Sequence, residues 1–187
     1  MDFCYHRRYR GGVKGVIFDW AGTTVDYGCV APAGAFIELF RSRGVEITAE
    51  QARAPMGLHK RDHIRTIAHM DDVARRWEMG NGKRPTEADI DSMFAQFIPS
   101  LMRAIEHHSD VIPGVVDVVT ALRAGGIRIG STTGYNREIM EVVTKIAHRQ
   151  GYETEVTVCA DEVDQARPAP WMALRAAERL GVFPPEA

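Results

Sequence analysis

The stretch that decides the fold is VIFDWAGTTVDYG, Val16 to Gly28. Apolar Val16, Ile17 and Phe18 run straight into Asp19, and the chain then turns through Gly22, Thr23 and Thr24. With Gly15 in front, GVIFD reads as a short strand buried on both faces and ending in a turn. An aspartate at such a tip faces the crevice where open α/β sheets bind their ligands. There a carboxylate can attack phosphorus or offer oxygen to magnesium. Ala21, two residues on, stands where a phosphate-transferring site would be expected to carry a second acid.

Outward from this strand the pattern turns helical. Pro32 to Arg43 reads as a helix closed by Gly44. Thr48 and Gln51 have the spacing of a capping box for another, and His59 to Met70 forms a third. After Thr86, the residues Ile90, Met93, Phe94, Phe97, Leu101 and Ile105 recur at helical spacing, with Pro99 expected to bend the helix. No convincing strand falls in this middle section. Beyond Pro113-Gly114 come helical Val115 to Arg123, the strand IRIGSTTG (Ile127 to Gly134) and helical Asn136 to Arg149. A strand Glu155 to Cys159 and a helix Trp171 to Leu180 follow. This alternation predicts an α/β protein with a Rossmann-like parallel sheet. Residues 14–30 and 110–187 would form that core, and 31–109 an inserted α-helical cap.

Composition narrows the class. The 187 residues carry a formal net charge of −2, so charge offers no case for a nucleic-acid partner. The basic cluster His6 to Arg10 is a local exception, read as a solvated terminus. Cys4, Cys29 and Cys159 have neither zinc spacing nor an even count, which favours a reducing, cytoplasmic setting. No apolar run approaches membrane-spanning length.

Three polar groups from separate segments are expected to converge at strand ends: Asp19, Thr133 and Arg167. A threonine hydroxyl and a guanidinium can hold phosphate oxygens, the arginine bidentately. Taken singly, Asp19 would be read as a turn or capping residue. The three together make that the weaker reading.

FDWAGTTVDYG, STTGY and ARPAPWM resemble the first three motifs of the haloacid dehalogenase superfamily. With PMGLHKRDH (Pro55 to His63), they resemble its phosphonatase branch, from about Lys14 to the last residue. The resemblance implies hydrolysis of phosphonoacetaldehyde to acetaldehyde and phosphate. In superfamily phosphatases the second acid protonates a leaving alcohol; a carbon–phosphorus bond instead leaves a carbanion, which needs an electron sink. The family pattern supplies it as a lysine Schiff base, here on Lys60, with Asp19 forming an aspartyl-phosphate. His63 would shuttle protons around the imine. Mg2+ would bind Asp19 and the Ala21 carbonyl, while Thr133, Gly134, Tyr135, Arg167, Met56, Gly57 and Cys29 would contact the substrate. The family also implies a homodimer through the cap, for which Phe36, Phe40 and Trp77 are candidate contacts.

Without the resemblance, Lys60 reads as a solvated helix charge, His63 as a capping or surface histidine, and Cys29 as a packed thiol. A free lysine, with a pKa of about 10.4, would be reactive in roughly one molecule in a few thousand at neutral pH. His59, Arg61 and His63 flank Lys60 and would lower its pKa, whereas Asp62 would raise it. His59 and His63 have the spacing of a zinc pair but no third ligand and no HExxH glutamate. Ala166 and Ala169 depart from the family pattern beside Arg167. The family's fourth, acidic motif and its strand are absent from these residues, so the expectation is a core lacking its C-terminal strands and an impaired activity. A generic phosphatase or phosphomutase of the same superfamily, or a non-catalytic remnant, are the alternatives.

Overall fold

The computed structural model describes residues 11–184. Cys4 and the cluster His6 to Arg10 lie outside the described residues. Three parallel strands, β1 (Gly15–Phe18), β2 (Arg128–Thr133) and β3 (Val156–Cys159), form a sheet in the order β1-β2-β3. Register pairs Phe18 with Ser131 and Thr133 with Cys159, so the polar tips of the strands lie side by side.

Alternation along the strands sorts the two faces. Ile17, Val156 and Val158 pack with Met172 and Ala176 of a C-terminal helix. Val16, Phe18 and Ile129 face the opposite side with Val119, Ile139, Met140 and Val143. All four residues of β1 are half-buried, which corrects the expectation of a strand covered on both faces. The reason is its place: among the described residues β1 is an edge, with β2 on one side only.

Among the described residues eight α-helices surround or extend this sheet: α1 (Val30–Arg41), α2 (Ala49–Arg53), α3 (Lys60–Ala68), α4 (Asp71–Asn81), α5 (Glu87–His108), α6 (Val115–Ala124), α7 (Arg137–Arg149) and α8 (Trp171–Leu180). The first five form a strand-free layer. Phe36 stacks on Phe97 at 4.3 Å between ring centroids, and Phe40 meets Trp77 edge-on at 6.5 Å. Phe36, Phe40 and Trp77 are therefore core residues of this layer and not surface contacts. The capping box expected at Thr48 is present, and the structure adds a second at Thr86, where the sequence was read only for its helical period. Sequence reading missed α4, whose buried face is only Val73, Ala74 and Trp77, too few apolar positions to declare a period.

Two linkers join the helical layer to the sheet. Val25 and Val111 form an antiparallel bridge, and the Asp26 N–H donates to the Asp110 carbonyl at 3.0 Å. Asp26 and Cys29 both take left-handed backbone angles there. The buried Asp26 carboxylate accepts from the Val30 and Ala31 N–H groups at 2.9 and 3.2 Å, satisfying the first turn of α1.

Candidate active site

Where β1 and β2 end, the helical layer comes down on the sheet and encloses a cavity of about 20 Å3. Asp19, Ala21, Met56, Gly57, Lys60, Thr133, Gly134, Tyr135 and Arg167 line it. That volume is close to what a single water requires, about 10–15 Å3. Nine of the residues named from sequence are thus gathered at one point from four separate segments. Lys60 and Asp19 share the cavity, so the lysine does not point to open solvent.

Lys60 opens α3 and is 4% exposed. Its Nζ lies 4.8 Å from the centroid of the Tyr135 ring and 5.7 Å from that of Phe36. Burial lowers its pKa from 10.5 to about 8, Asp19 and Cys29 work in the opposite direction, and Arg167 adds a further lowering. The cause is therefore desolvation and one cation from the far side of the cleft. The flanking residues act otherwise. His59 accepts the Arg61 N–H through Nδ1 as the helix cap, Arg61 pairs with Glu87 and Asp91, and Asp62 pairs with Arg65.

Asp19 and Arg167 form an ion pair at 3.0 Å across the cleft. The Arg167 Nε is buried without a partner, and Gly57 packs within reach of the guanidinium. A planar cation with an idle donor at the tip of a carboxylate-bearing strand suits a bidentate anion. Thr133 is 2% exposed, and its Oγ1 accepts the Tyr135 N–H at 3.1 Å, which shapes the turn above β2. That turn is held from the third strand, because the Ala160 N–H donates to the Tyr135 carbonyl at 3.0 Å.

His63 and Cys29 do not line the cavity. His63 is fully buried, stacked on Phe36 at 3.9 Å, with Nε2 against the Ala52 carbonyl at 2.9 Å. It is a core histidine, neither cap nor surface. Burial, helped by the Lys60 charge, drops its pKa to about 3, so the ring is neutral and Nε2 carries the proton it donates. Its Nδ1 is buried and unpartnered. The Cys29 thiol lies 3.2 Å from the Ala21 carbonyl, and burial raises its pKa. Phe36, offered in sequence as a candidate dimer contact, is a core residue whose ring lies 5.7 Å from the Lys60 Nζ without lining the cavity.

Asp19 and the Ala21 carbonyl offer oxygen alone, and among the described residues no cluster of three or more His, Cys, Asp or Glu side chains could hold a metal. A single carboxylate with a carbonyl fits magnesium, which keeps several waters and shares the rest with substrate oxygens.

Residues 13–187 match the haloacid dehalogenase-like hydrolase family, and the chain belongs to it. The phosphonatase resemblance is borne out. The chain is 52% identical to the phosphonoacetaldehyde hydrolase of Bacillus cereus (strain AH187) over 172 residues, 92% of this chain and 65% of that protein. It is 49% identical to the phosphonoacetaldehyde hydrolase-like protein of Syntrophobacter fumaroxidans, over 94% of this chain and 64% of the relative. The crystal structure of a phosphonoacetaldehyde hydrolase-like protein from Oleispira antarctica superposes with a TM-score of 0.91 at 38% identity, covering 98% of this chain and 67% of that one. The chain therefore spans just under two thirds of the length of the curated relatives it matches.

Proposed function

We propose that this chain carries the catalytic centre of a phosphonoacetaldehyde hydrolase, cleaving a carbon–phosphorus bond to give acetaldehyde and phosphate. One observation supports it above the rest: a buried lysine with a pKa of about 8 shares a cavity with the strand-tip Asp19. At pH 7 such an amine is neutral in about one molecule in ten, against one in a few thousand for a solvated lysine.

In this reading Lys60 adds to the substrate aldehyde and, with loss of water, forms a protonated imine. The Asp19 carboxylate attacks phosphorus; the carbon–phosphorus bond breaks and its electron pair enters the imine, giving an enamine. Protonation at carbon and hydrolysis of the imine release acetaldehyde, and water hydrolyses the aspartyl-phosphate. Arg167 and Thr133 would hold phosphonate oxygens, with Gly134, Tyr135, Met56 and Gly57 packed about the aldehyde. Magnesium held by Asp19 and the Ala21 carbonyl would neutralise charge on the phosphonate oxygens. Cys29 would act on the Ala21 carbonyl from behind, and His63, kept neutral in the closed site by burial and the Lys60 charge, would shuttle protons around the imine only once the cap opens and water reaches its bare Nδ1.

We assign residues 31–109 as a cap that opens on the linkers at Asp26 to Cys29 and Ser109 to Ile112. The cavity is too small for any substrate until it does so. A groove of about 710 Å3 between α3 and the segment after β3 shares Arg167 with the cavity and offers a way in. Exposed Met79 on α4 supports a homodimer through the cap, and the free thiols Cys29 and Cys159 support a cytoplasmic setting.

The test is to mix the chain with phosphonoacetaldehyde and magnesium, add borohydride, and map the adduct while assaying acetaldehyde. An adduct on Lys60 with acetaldehyde release is expected. Phosphate release with no lysine adduct would assign the chain to ordinary phosphatase chemistry instead, and neither signal would leave it a non-catalytic fold.

A further inference from the structure

Trp20 stands between Asp19 and Ala21, yet its side chain runs the other way, into the protein. It is 1% exposed. Its indole N–H donates to the Ser131 Oγ at 2.8 Å, and its ring meets that of Tyr152 edge-on at 5.1 Å. Ser131 pairs with Phe18 in the β1–β2 register. Trp20 is thus anchored to the neighbouring strand just past the end of its own.

The anchor is itself braced. The Ser131 Oγ contacts the Thr157 Oγ1 at 2.8 Å, and Thr157 contacts the Thr154 Oγ1 at 2.9 Å, carrying the hydroxyl chain across to β3. At the same residue the Trp20 carbonyl accepts the N–H groups of Thr23, Thr24 and Val25 at 3.0, 2.8 and 3.2 Å. Side chain and carbonyl together fix both the strand end and the turn. Phenylalanine would fill such a space without needing a partner; a buried indole N–H demands one, and here it has it.

We propose that Trp20 is a positioning residue whose hydrogen bond to Ser131 aims the Asp19 carboxylate and the Ala21 carbonyl at one divalent cation. The proposal rests on the reading that these two oxygens hold magnesium. Peptide planes are rigid, so the backbone angles of Trp20 set how its two neighbours are oriented. Holding the ring from the adjacent strand holds those angles. Magnesium tolerates little deviation in the direction of its oxygen ligands, so an aiming error weakens binding even where the fold survives.

The measurement is Mn2+ binding to the full chain, read as loss of the free-ion paramagnetic resonance signal. It is made on the parent, Trp20→Phe, Ser131→Ala and the double variant, each with a melting curve. Trp20→Phe keeps a ring but removes the donor, and Ser131 retains Thr157. It is expected to melt cooperatively and to bind Mn2+ about 10-fold more weakly. The double variant should bind no more weakly than the worse single one, because both remove the same bond. If Trp20→Phe does not melt cooperatively, Ser131→Ala, which keeps the indole, carries the same expectation. Parent-like Mn2+ affinity in a folded variant, or losses that simply add, would overturn the proposal alone. A parent chain that binds no Mn2+ would overturn the magnesium reading and this proposal with it.

Discussion

At the residue scale the proposed chemistry turns on the environment of one amine. Lys60 is reactive only when neutral, and its pKa of about 8 lies below the ordinary 10.5 chiefly because it is buried. Borohydride trapping should therefore speed up as pH rises from 6 and level off above about 8; a plateau reached only near 10.5 would contradict the buried setting. The same shift has a stability consequence. Between pH 8 and 10.5 the unfolded chain binds the Lys60 proton and the folded chain does not, so stability rises with pH across that window. At pH 7 most folded molecules carry a buried charge. Lys60→Met should thus raise stability by on the order of 1–3 kcal/mol while abolishing trapping, measured by denaturant melts and mass spectrometry.

At the scale of elements, each helix that presents a site residue is fixed at its start by a local device. His59 caps α3 immediately before Lys60, Asn136 caps α7 just past Tyr135, and Asp26 secures the first turn of α1. The long α5 begins at a reciprocal box, with the Thr86 Oγ1 accepting from the Asp89 N–H and the Asp89 carboxylate accepting from the Thr86 N–H. Thr86→Ala should cost about 1 kcal/mol in chemical denaturation and leave Lys60 trapping unchanged, since the box lies on the exposed start of the helix. Most of these elements were legible in sequence because caps and periods are local. The unforeseen α4 shows the limit: it is held by Val73, Ala74 and Trp77 packing onto the helical layer, a tertiary cause with little local sign.

At the scale of the whole molecule, the site exists because two layers close on each other with almost no space between them. A Cβ on Gly134 would sit 2.7 Å from the Leu58 carbonyl oxygen and 2.9 Å from that of Gly57, both backbone atoms that cannot swing aside. Gly134→Ala should therefore hold the helical layer off the sheet. The expected result is a fall in kcat/KM of about 100-fold with little change in melting temperature, because misplacement near 1 Å is that costly to reacting groups. A variant of parent-like activity would mean that this contact does not govern closure.

The residues alone settled the strand-helix alternation, the strand-tip carboxylate and the helical insert, since turns, caps and apolar periods act over a few positions. They also supplied the motif that led to Lys60. They could not settle that the amine is buried among rings, that Arg167 is the cation acting on it, or that His63 and Cys29 stand behind the cavity wall. Desolvation and charge proximity are sums over groups far apart in the chain, so they acquire values only when the layers meet.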